Sequence, residues 1–82
     1  MITPTKGISP QRALLTIGAQ ISMILTEPMT VSQAWGSLKA WRFQHSNDEV
    51  LPYSWFVLAL DLLYALDTIH YYDGLLYRKR GN

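Results

Sequence analysis

The chain of 82 residues contains no cysteine. Disulfides, thiol nucleophiles and thiolate zinc sites are therefore excluded. A chain without cysteine also fits a reducing compartment, so a cytoplasmic location is expected. Histidine is nearly as scarce. His45 stands in a polar segment beside Ser46 and Asp48, and His70 alternates with Ile69 and Tyr71. Neither has a partner at metal-ligand spacing. There is no glycine-rich phosphate loop, and Asp61 and Asp67, six apart on a helix, do not share a face. The expectation is a chain that is no enzyme and has no catalytic residues, metal or cofactor.

Charge is the second shortage. Charged residues make up 16% of the chain and the net charge is +1, below the usual quarter for a soluble domain. The distribution is uneven. Residues 49–77 contain no Lys, Arg, Asn or Gln, while Glu49, Asp61, Asp67 and Asp73 fall inside that span. Base edges in the major groove are read chiefly by those four absent types, and DNA phosphates repel carboxylates. Readout of DNA by this part of the chain is thus disfavoured. Basic residues cluster elsewhere. Arg78, Lys79 and Arg80 could touch a nucleic-acid backbone, although a solvated tail is the simpler reading. Lys39 with Arg42 completes what a small winged-helix DNA-binding regulator would use.

Long hydrophobic runs are missing too. The most apolar stretch, "SWFVLALDLLYALD" at residues 54–67, is interrupted by Asp61. It falls short of the roughly 20 apolar residues that span a bilayer. The start, "MITPTKGISPQRALL", lacks the basic and apolar regions of a signal peptide. No contact with a membrane is expected.

What is present is apolar and aromatic: 49% hydrophobic residues, with three Trp, five Tyr and two Phe. The pattern divides into segments of one domain covering residues 1–82. Residues 1–8, with Pro4 and Gly7, read as an extended arm. A helix over 9–27 opens with Ser9 as N-cap and Pro10 at the first helical position. Leu14, Ile17, Ile21, Ile24 and Leu25 recur at helical spacing, opposite Arg12, Thr16, Gln20 and Glu27. Gly18 within it suggests close approach by another backbone. A second helix over 30–44 starts with a Thr30–Gln33 capping box and carries Val31, Ala34, Trp35, Leu38 and Trp41 on one stripe. Residues 45–49 read as a polar loop. A third helix over 52–67 holds the apolar stretch, with Ser54, Asp61 and Thr68 on one narrow wet line. Asp73-Gly74 then predicts a hairpin over 69–78, because both central turn positions require positive φ. Three helices plus a C-terminal wing make a mostly α, winged helix-turn-helix-like fold.

So small a domain buries only about 60% of the surface its unfolded chain exposes. Trp35, Trp41, Trp55 and Phe56 each suit a core. Together with the tyrosines they exceed what three short helices can cover. With Leu58 and Leu62 turned inward, Val57 and Tyr64 lie well around the third helix. The candidate protein-interface residues are Trp55, Val57, Tyr64, Tyr71, Tyr72 and Tyr77. A self-associating domain is a further reading of the same surplus.

The stretches "MITPTKGISPQRALLTIGAQI", "EPMTVSQAW", "WFVLALDLLYALDTI" and "GLLYRKR" extend across nearly the whole chain. They resemble the middle component, type six, of bacterial ABC-three-component systems of the Lamassu-like defence group. The resemblance implies a winged-helix adaptor bridging an SMC-like or Rad50-like ABC ATPase and an effector, often a nuclease. It also implies defence against phage or plasmids, with DNA contacted by the complex rather than by this chain. One departure is Pro52, where a capping Ser or Thr would be expected.

Overall fold

The computed structural model describes residues 9–45 and 50–79. Its elements run in the order α1 (Pro10–Ile24), α2 (Val31–Gln44), α3 (Tyr53–Ala65), β1 (Ile69–Tyr72) and β2 (Leu75–Arg78). The arrangement is winged-helix-like: three helices, then a two-stranded antiparallel hairpin. The arm at 1–8, loop residues 46–49 and Arg80 lie outside the described residues.

Local signals set the starts of the first two helices. The Ser9 hydroxyl accepts the Arg12 N–H at 3.3 Å, and Pro10 follows at the first helical position. At α2 the Gln33 N–H donates to Thr30 Oγ1 at 3.1 Å, and the Thr30 N–H donates to Gln33 Oε1 at 2.9 Å. This reciprocal box satisfies two N–H groups that would otherwise lack partners at the helix start. No such device opens α3: Pro52 occupies the N-cap and offers no side-chain bond. Packing has to hold that end instead.

The helix ends have equally local causes. Helix α1 stops at Ile24, where Leu25 takes ψ 65. Pro28 has no N–H to give the Ile24 carbonyl, and it biases Glu27 away from helical angles. Helix α3 ends in a Schellman motif. Asp67 adopts φ 61, its N–H reaches the Tyr64 carbonyl at 3.0 Å, and the Thr68 N–H reaches Leu63 at 2.8 Å.

The hairpin pairs Tyr72 with Leu75 and His70 with Tyr77. Its turn has φ 54 at Asp73 and φ 80 at Gly74, the left-handed pair that matches strand twist. On the far side of β2, Leu76 exchanges both backbone bonds with Met29, at 2.7 and 3.2 Å. A single residue of the α1–α2 connection thus serves as the rudiment of a third strand.

The core lies where α1 crosses α3, closed by α2 on one side and the hairpin on the other. Ala13, Ile17 and Ile21 meet Phe56, Ala59 and Leu63, with Leu38 of α2 and Ile69 and Leu76 of the hairpin completing it. Gly18 is a point of close approach, to the Leu63 side chain rather than to a backbone. A Cβ built there would stand 3.2 Å from Leu63 Cδ2. Among the described residues, no helix is long and apolar enough to cross a membrane.

Candidate functional site

Helix α3 is apolar nearly all round, so its two faces must be told apart by packing. Trp55, Phe56, Ala59 and Leu63 are buried. Tyr53, Ser54, Val57, Leu58, Asp61, Tyr64 and Ala65 are exposed. This corrects two expectations. Leu58 turns outward, because Phe56 and Leu63, not Leu58 and Leu62, face α1. The outward face is also far wider than a line through Ser54 and Asp61, and most of it is apolar.

The candidate interface residues separate on this basis. Trp55 is only 4% exposed and belongs to the core, one position round the helix from where a partner could touch it. Val57 and Tyr64 share the outer face of α3, and Tyr64 is 61% exposed. In the hairpin, directly paired residues share a face. Tyr71 therefore lies on the inner side with Ile69 and Leu76, yet extends past the core to 55% exposure. Tyr72, 73% exposed, shares the outer side with His70, Leu75 and half-buried Tyr77. Leu58 and Leu66, both exposed, were not singled out by sequence. An all-apolar helix carries no phase from which to pick its outer side.

Polar groups are placed in ways that serve the fold. Arg42 is 5% exposed and donates to Gln20 Oε1 at 2.7 Å, tying α2 to α1. With Lys39 it makes the pair a DNA-binding regulator would use, but its guanidinium crosses to the half-buried Gln20. Lys39 lies 5.0 Å above the Trp35 ring. Arg78 donates to the Ser22 carbonyl at 3.0 Å. Lys79 pairs with Asp67. By hydrogen bond first and charge second, Lys79 holds the Asp67 carboxyl below its ordinary range; desolvation opposes this slightly and His70 assists. His45 stacks on Trp41, and its Nδ1 donates to the Trp41 carbonyl at 2.8 Å, closing α2.

No cluster of three or more His, Cys, Asp or Glu able to hold a metal occurs among the described residues. An open cleft of about 540 Å³ lies between residues 25–28 and residues 77–79. Its charged groups are Glu27, Arg78 and Lys79, and both cations already have partners within the chain.

The winged-helix-like frame thus presents an apolar third helix where a DNA reader would present cations and amides. A family comparison matches residues 3–80 to ABC-three component (ABC-3C) system Middle Component 6. The chain belongs to that family. Middle Component 6 membership makes it one component of a multi-component system, and the family name implies partnership with the other ABC-3C components. No curated protein and no solved structure matches the chain.

Proposed function

We propose that this Middle Component 6 chain is a non-catalytic adaptor. It bridges an SMC-like or Rad50-like ABC ATPase and an effector, a nuclease on this reading, in a Lamassu-like anti-phage and anti-plasmid complex in the cytoplasm. One observation carries the docking part of the reading: the outer face of α3 is exposed and apolar at Val57, Leu58 and Tyr64. Its single charge is the negative Asp61. Exposed apolar area of this kind marks protein contact. The exposed hairpin tyrosines Tyr71 and Tyr72, on opposite faces of the ribbon, offer further contact area, with Tyr77 half-covered on the Tyr72 side.

The DNA-regulator alternative draws less support. Arg42 is buried, and Arg78 and Lys79 are engaged with Ser22 and Asp67. DNA is then contacted by the complex.

The test is co-expression with the ATPase and effector encoded beside it, followed by affinity purification through this chain. Both companions should copurify with the wild type. Tyr64→Asp or Tyr72→Asp should release at least one of them while leaving the helical circular-dichroism spectrum intact. Copurification of neither companion with the wild type rules the reading out. Full retention by both variants places the docking face elsewhere.

A further inference from the structure

We propose that the outer face of α3 receives an amphipathic helix of a companion component, and that this helix carries a lysine or arginine set against Asp61. The inference rests on the adaptor reading and adds the chemistry of the partner.

Asp61 is the starting point because the fold gives it no purpose. It is exposed and makes no hydrogen bond or ion pair with the described residues. It sits just before the last turn of α3, so it gains nothing from the helix dipole, which favours carboxylates only at the N-terminus. No lysine or arginine occurs in residues 50–77 to offset it. Yet helical spacing places it beside Val57, Leu58, Tyr64 and Ala65, in the middle of the exposed apolar face.

That placement constrains the occupant. A purely apolar partner would strip water from the carboxylate and leave it unpaired, which is costly. A second copy docked through the same face would bring another carboxylate and no cation. Duplex DNA would bring phosphates. A cation embedded in an apolar surface satisfies both the carboxylate and its neighbours, through a charge-assisted bond in a desolvated setting. The shape of the site narrows the choice further. The stripe through Tyr53, Val57, Asp61 and Tyr64 runs about 16 Å along a straight helix at 1.5 Å per residue. Apolar rows of that form pack against the ridges of another helix.

The experiment is a binding titration of the purified chain against its companion components. It compares wild type with Asp61→Asn, Asp61→Lys, Tyr64→Asp and Glu27→Lys, the last reversing an exposed charge on the α1–α2 turn. Asp61→Asn should weaken binding at least about tenfold and Asp61→Lys at least about a hundredfold, as at a desolvated interfacial charge pair. Glu27→Lys should bind as wild type, and all variants should melt within a few degrees of it. If Tyr64→Asp abolishes binding but Asp61→Lys binds normally, the cationic helix is refuted and the adaptor reading stands. If neither variant changes binding, the α3 face is not the dock. Light scattering that shows a homodimer broken by Tyr64→Asp would overturn the proposal in favour of a second copy. Salt-sensitive duplex binding lost in that variant would overturn it in favour of DNA.

Discussion

Helices α1 and α3 are nearly the same length and pack against each other, yet they are specified in different ways. Helix α1 is closed at its start by Ser9 and Pro10 and sets a buried row, Ala13, Ile17 and Ile21, against an exposed side that mixes Gln11, Arg12 and Thr16 with Leu15 and Met23. Its local chemistry and its burial agree. Helix α3 starts at Pro52 without a side-chain cap and remains apolar on the side facing away from the core. Its position comes from Phe56, Ala59 and Leu63 locking against α1. Val57, Leu58, Asp61 and Tyr64 lie outside that lock, whereas half-exposed Tyr53 packs its ring on Trp35 and Phe56. The contrast separates what the domain needs in order to fold from what it carries for another purpose.

Mutations can break or sharpen this contrast. The largest effect is expected at Phe56, which is fully buried and touches Trp35 with ring centroids 5.0 Å apart. Phe56→Ala should cost about 3–5 kcal/mol, enough to unfold much of so small a domain in a urea titration. Gly18→Leu comes next. The added side chain must displace Leu63, and about 1–3 kcal/mol of overpacking is expected, read as a lower urea midpoint. Thr30→Ala removes the α2 box and should cost about 1 kcal/mol. Tyr64→Ser and Leu58→Ser should change stability by no more than about 0.5 kcal/mol; a loss near that at Phe56 would erase the distinction between the two faces of α3. The smallest effect belongs to Asp67. Its carboxyl titrates lower in the folded chain than in the unfolded one, so its contribution is complete above the unfolded value and vanishes as pH falls through the folded one. The melting difference between wild type and Asp67→Asn should therefore shrink on acidification. It should also shrink in high salt, since the pair is exposed.

Much of this fold is legible in the sequence, because its signals are short and local. Ser9-Pro10, Thr30 with Gln33, and Asp73-Gly74 each name their backbone geometry within four residues. What escaped were effects without a local pattern. Met29 pairs with Leu76 as a single bridge, and one residue has no alternation to detect. Arg42 looks like a surface partner of Lys39 until α1 brings Gln20 within reach. The orientation of α3 was hidden by its own uniformity: Leu58 and Phe56 are equally apolar, and only the shape of the facing helix chooses between them. For the same reason Trp55 was grouped with outward residues although it points into the core.

The Met29–Leu76 bridge has a mechanical consequence. A two-stranded ribbon joined only to α3 would swing like a flap when its tip is pulled. Here β2 is fastened to the α1–α2 connection by two backbone bonds, and Arg78 is fastened to Ser22. A load applied at Tyr72 is therefore carried into the C-terminal end of α1 as well as into α3, and the wing is rooted at two points instead of one.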